Sequence, residues 1–237
     1  MRFEDYEVEI KKEKAYITKY YGHEKQVCIP SYIHEYPVVG IGNEAFKDNG
    51  YINLVCFPLT LMQIGTKAFM NCLNLKRLSI PRDVKNIGAF CFKNCCSLSS
   101  IQLPFYLKKI SYGMLMNCTE LSQIEFPDML ESISSKALKG CKNINYFNFP
   151  DSLLYMKEDS LEDCENLQEV SFGTKMRTFD FLNLKNSSIQ RFTARNPVMC
   201  LENISEIHKE TVFYGYRDST LEILSDKYKF VELIREW

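Results

Sequence analysis

The chain has 237 residues, 46% of them hydrophobic and 25% charged, and a formal net charge of −1. That balance fits a soluble globular class and removes the general electrostatic case for nucleic acid or an anionic membrane as partner. No apolar run approaches the roughly 20 residues of a spanning helix, so no membrane insertion is expected.

The opening, Met1-Arg2-Phe3-Glu4-Asp5-Tyr6, lacks the apolar stretch of a secretion signal. Two alternating segments follow, Tyr6-Glu7-Val8-Glu9-Ile10 and Ala15-Tyr16-Ile17-Thr18-Lys19-Tyr20, and the pattern predicts a hairpin over residues 6–21. From Pro58 the chain then repeats itself every 23 residues: Pro58, Pro81, Pro104, Pro127 and Pro150, with Gly173 in the next position. Fourteen residues after each proline stands a cysteine, at Cys72, Cys95, Cys118, Cys141 and Cys164. A fixed period of this length means one small unit stacked on its own copies, each covering the apolar face its neighbour exposes.

Inside one unit, Val84, Ile87, Phe92, Leu98, Ile101 and Leu103 mark the apolar slots, and the same slots return one unit earlier and later. Triplets such as Leu78-Ser79-Ile80 and Ile101-Gln102-Leu103 alternate and predict a short half-buried strand. The next proline ends it, because it has no N–H for a ladder and a fixed φ. A second extended piece follows, as in Gln63-Ile64, and then a compact helical or 3₁₀ turn at Ala68-Phe69 and its equivalents. Six or seven such coils at about 4.8 Å spacing give a stack roughly 30 Å long.

The segments Ile64-Gly65-Thr66-Lys67-Ala68-Phe69-Met70-Asn71-Cys72 and Leu75-Lys76-Arg77-Leu78-Ser79-Ile80-Pro81 closely resemble the BspA-type leucine-rich repeat, a 23-residue bacterial class. The opening coil is similar too, from Ile29-Pro30 to Ala45-Phe46, although Pro30 to Pro58 spans 28 residues. The resemblance covers roughly residues 6 to 235. It weakens downstream, where Ser111, Ser134 and Lys157 replace the glycine of Ile-Gly, and the unit after Gly173 lacks the cysteine and one residue. It implies an α/β repeat solenoid: a right-handed leucine-rich-repeat superhelix of short strands and short helical or 3₁₀ turns, capped at both ends. One domain is expected over residues 1–237. Residues 1–29 form its N-terminal hairpin cap, 30–194 about seven repeats and 195–237 a C-terminal cap. That last cap reads as a strand at Thr211–Gly215, a helix from Ser219-Thr220, and a strand at Phe230-Val231-Glu232-Leu233.

Five of the ten cysteines share one repeat slot and are expected to form an inward column of reduced thiols, not disulfides or a metal site. Unpaired thiols and the missing signal favour a cytoplasmic, reducing setting; a surface or secreted protein needs a leader ahead of Met1. His23, His34 and His208 lie apart, at no ligand spacing, and read as solvated loop residues. No phosphate loop, nucleophile elbow or zinc motif is present, so neither a cofactor nor enzymatic activity is expected. Residues 58–80 carry a charge of +3 and residues 150–172 a charge of −6, an asymmetry along the stack.

The positions left for recognition are the outward residues of the repeating strand. Four before each proline anchor run Leu54, Arg77, Ser100, Gln123, Tyr146, Glu169 and Arg191; two before run Cys56, Ser79, Gln102, Glu125, Asn148, Ser171 and Thr193. The second column is short and polar and suits a hydrogen-bonded ladder. The first is chemically varied, and Arg77, Gln123, Tyr146, Glu169 and Arg191 are the expected partner-binding residues. The function expected is a non-catalytic, monomeric protein-interaction module; the family resemblance implies adhesion or host contact. The alternatives are a glycan-binding surface module, built on Phe105, Tyr106, Tyr146 and Tyr155, and a cytoplasmic scaffold.

Overall fold

The structure is a computed structural model and describes residues 1–207 and 209–232. It is a solenoid of about nine turns with few helices. Each coil sends its alternating triplet into a wide parallel ladder that runs as two sheets. Gln26–Cys28, Leu54–Cys56, Arg77–Ser79, Ser100–Gln102 and Gln123–Glu125 form a five-stranded sheet, each strand paired with the next coil's. Tyr146–Asn148, Glu169–Phe172, Arg191–Ala194, Val212–Gly215 and Lys229–Glu232 form a second sheet of five. Leu233 lies outside the described residues. Where the sequence loses a residue the register shortens with it, Glu169 pairing Arg191 after 22 residues instead of 23.

A second, narrower ladder runs along the coils. It starts at the hairpin, where Tyr6–Lys11 and Lys14–Tyr20 pair antiparallel. Lys14–Tyr20 then pairs parallel with Tyr36–Ile41, followed by Gln63–Ile64 and Asn86–Ile87. The ladder resumes as Lys109–Ile110, Ser132–Ile133 and Tyr155–Met156. Its break, between Ile87 and Lys109, falls where serine first replaces glycine. The N–H of Gly65 reaches the Ile41 carbonyl at 2.8 Å, and that of Gly88 reaches the Ile64 carbonyl at 2.8 Å. At Ser111 the hydroxyl takes the Ile87 carbonyl instead, at 2.5 Å. A Cβ on Gly88 would stand 2.3 Å from the Thr66 nitrogen, so this position takes a side chain only if the backbone moves. Ser134 and Lys157 in later coils nevertheless carry one and still bond the carbonyls of Ile110 and Ile133.

The small-before-large segment is a hydrogen-bonded turn in the repeat coils. Among the described residues, 3₁₀ helices occur at Phe181–Leu184, Ile204–Glu206 and Glu222–Asp226. The earlier coils stop at a single turn because every second amide is committed to the next coil: Phe46 N–H to Ala68 O, Phe69 to Cys91 O and Phe92 to Met114 O, at 2.8–2.9 Å. The amides between them close bonds three residues back, such as Met70 to Lys67 O at 3.1 Å and Cys72 to Phe69 O at 3.2 Å. Left-handed residues also bracket each turn, Lys67 and Asn71 in one coil, Phe90 and Asn94 in the next. Only three residues lie between the members of each pair. The second left-handed position builds a side-chain ladder. Asn71 donates to Asp48 at 2.6 Å, Asn94 to Asn71 at 2.8 Å and Asn117 to Asn94 at 3.0 Å.

Inside, each row repeats coil over coil. Phe46, Phe69 and Phe92 stack with centroids 4.8 and 5.7 Å apart, and Tyr20 of the hairpin covers Phe46 at 5.0 Å. The five column cysteines are fully buried and unpaired as thiols. Each Sγ donates to a carbonyl 26 residues earlier, Cys72 to Phe46, Cys95 to Phe69 and Cys118 to Phe92, all at 3.2 Å. Burial pushes the thiols of Cys72 and Cys164 up to about 12. In the seventh unit Ser187 occupies the cysteine slot and bonds within its own coil, to Leu184 O at 2.5 Å.

Candidate interaction face

Because side chains alternate along a strand, the residues between the buried ones of the wide ladder all emerge on one side. The register sets Arg77, Ser100 and Gln123 side by side in one sheet, and Tyr146, Glu169 and Arg191 side by side in the other. All five predicted recognition residues, Arg77, Gln123, Tyr146, Glu169 and Arg191, are exposed, Tyr146 by 59%. The described strand pairing stops between Gln123–Glu125 and Tyr146–Asn148, so they form two groups and not one continuous row. Phe126, Phe147 and Phe149 crowd together at that junction, with centroids 5.0–5.9 Å apart.

The groups differ electrostatically. Arg191 and Glu169 pair with each other at 3.1 Å across adjacent coils, whereas Arg77 has no ion pair among the described residues. Arg77 instead borders an open groove of about 590 Å³, lined also by Leu54, Cys56, Phe57, Ser79, Ser100, Gln102, Gln123 and Glu125. Sequence reasoning set the two-before column aside as a polar ladder. Ser79 does bond Gln102 at 2.8 Å, yet Cys56, Ser79, Gln102 and Glu125 also line the groove. Their two-residue spacing from the varied column was the available signal.

The acidic coil is less naked than its charge suggests. Lys142 meets Glu165 at 2.7 Å, Lys136 meets Asp159 at 3.9 Å, Lys185 meets Glu162 at 3.7 Å, and Lys139 contacts both Glu162 and Asp163. Coils on either side therefore supply its counter-charges. The four aromatics that a glycan platform would need are dispersed. Tyr146 stands on the wide ladder and Tyr155 on the narrow one. Phe105 and Tyr106 lie edge to face beneath Arg82 in the turn after Pro104. His23 packs on Tyr51 and His34 on Phe3; His208 lies outside the described residues. Among the described residues no three metal-ligating side chains gather, and no helix is long and apolar enough to cross a membrane.

Solved structures share this architecture. A leucine-rich repeat protein of T. pallidum is 26% identical over 73% of this chain and 85% of its own, with a TM-score of 0.69. A leucine-rich cell surface protein of Faecalibacterium prausnitzii is 16% identical over 100% of this chain and 95% of its own, with a TM-score of 0.59, a likeness of fold. No curated protein matches the chain. Residues 25–115 and 86–215 match the family described as the BspA type leucine-rich repeat region, in six copies, and the chain belongs to that family.

Proposed function

We propose that the protein is a non-catalytic, monomeric protein-interaction module that presents the outward face of its wide ladder to a protein partner. One contrast carries the reading: inward rows repeat the same residue types coil after coil, while the four-before column changes at every step and is exposed except at half-buried Ser100. Packing leaves that column free, and its Arg and Tyr side chains suit interface anchors. Arg77, Gln123 and the groove beside them form one contact area; Tyr146, Glu169 and Arg191 form the other. Adhesion or host contact is the finer proposal and rests on the family resemblance.

Capture from the native source with the purified protein as bait, read by mass spectrometry, identifies the partner. Replacing Arg77 and Tyr146 together with alanine is expected to weaken that capture at least tenfold, since interface anchors are commonly worth ~2 kcal/mol each. Both side chains are exposed, so the fold survives the change. Undiminished capture by the double variant removes this face from consideration.

A further inference from the structure

Cys28 and Cys56 lie outside the buried column, 28 residues apart in sequence, and both are exposed. Strands Gln26–Cys28 and Leu54–Cys56 pair parallel in the register Gln26 to Leu54, Val27 to Val55 and Cys28 to Cys56. Val27 and Val55 are buried, so the alternation turns both thiols to the same outer side of the sheet. The Ile29 N–H reaches the Cys56 carbonyl at 3.0 Å and holds the register just beyond the pair. Directly aligned residues on neighbouring strands stand about 4.8 Å apart, inside the Cα range of a disulfide. Gln26–Cys28 is also the edge strand of its sheet, with Leu54–Cys56 as its single neighbour among the described residues, so it is free to lean inward while the bond forms.

From this juxtaposition we propose that Cys28 and Cys56 are a modification site: a dithiol that low-molecular-weight disulfides convert reversibly into a cross-strand disulfide. The thiolate of one cysteine attacks the small disulfide, forming a mixed disulfide and releasing one small thiol. The second cysteine then attacks the protein-bound sulfur and releases the other. Two protein thiols are oxidised to one S–S bond, one small disulfide is reduced to two thiols, and the two protons end on the released thiols. Hydrogen bonding with Cys28 holds the Cys56 thiol above its ordinary pKa. The bond would clip the first strand of the wide ladder to the second, at an end where a solenoid frays most easily.

Cys200 is the internal control, because it is exposed but pairs in register with Thr178. The freshly reduced, folded protein is incubated with oxidised glutathione, its remaining thiols are alkylated, and its peptides are mapped by mass spectrometry. The expected result is a Cys28–Cys56 cross-linked peptide, reversed by dithiothreitol, while Cys200 carries glutathione. In Cys56→Ser the cross-link disappears and Cys28 carries glutathione like Cys200. The oxidised wild type should also melt at a higher temperature than the reduced form, a difference absent from the variant. Glutathione on both Cys28 and Cys56 of the wild type, to the extent seen at Cys200, overturns the proposal. So does modification of Cys200 with Cys28 and Cys56 untouched.

Discussion

At the scale of single residues, the buried cysteines show how a repeat slot selects a side chain. The slot is small, enclosed and faces a backbone carbonyl of the preceding coil, so a thiol both fills it and donates weakly. Burial keeps these thiols neutral far above the pH at which they ionise in the unfolded chain. The proton is therefore bound more tightly in the folded state. Stability is whole below pH ~9 and falls as pH rises towards 12, by up to about 1.4 kcal/mol per unit for each such thiol. Urea unfolding followed from pH 7 to 11 checks this: the wild type should lose stability above pH 9, and Cys164→Ala should lose it less steeply. An unchanged slope in the variant would mean that Cys164 ionises alike in both states. The inward column was legible in the sequence because one residue type returned at one spacing. The left-handed turns were legible only in part, since Asn71 and Asn94 advertise φ > 0 whereas Lys67 and Phe90 do not.

At the scale of elements, strands and their stops were readable from alternation and proline, but the interruptions of both ladders were not. One falls where Phe126, Phe147 and Phe149 crowd together, the other where the Ser111 hydroxyl takes the Ile87 carbonyl. Periodicity reports the inward faces of coils and is blind to their spacing. The glycine break yields a direct comparison. Gly88→Ala places a methyl group against the Thr66 nitrogen and the Gly65 carbonyl carbon, at 2.3 and 2.6 Å, so the backbone must move. Its expected cost is ~1–3 kcal/mol, the range of overpacked cores. Ser111→Ala removes one hydroxyl bond to Ile87 and should cost about 1 kcal/mol. Denaturant titration of the two variants checks the order; equal midpoints would show that coil spacing does not depend on the glycine. The compact turn expected in every coil is there, closed by bonds three residues back such as Met70 N–H to Lys67 O, and it goes no further because every second amide bonds along the stack.

For the whole molecule, the period specified a solenoid, and pairing residue by residue follows it, including the shortened coil at Arg191. The charge asymmetry also read correctly along the chain but overstated the field, because the acidic coil's neighbours carry its lysines. What the period could not provide is the partner: outward side chains have no packing duty, so nothing repeats there to be recognised. Stability should instead be shared along the core. Leu121 is fully buried within its row, and Leu121→Ala is expected to cost ~2–5 kcal/mol by cavity formation, measured by urea unfolding. A loss below 1 kcal/mol would show that the stack tolerates a missing rung and that neighbouring coils close over it.

The orientation of the ladder bonds has a mechanical result. Strands lie across the stack and their hydrogen bonds run along it, so tension applied between the two ends loads one inter-coil seam at a time instead of shearing many together. A tethered molecule should then yield as an unzipping spring, giving up 23 residues, about 80 Å of contour, with each seam that opens.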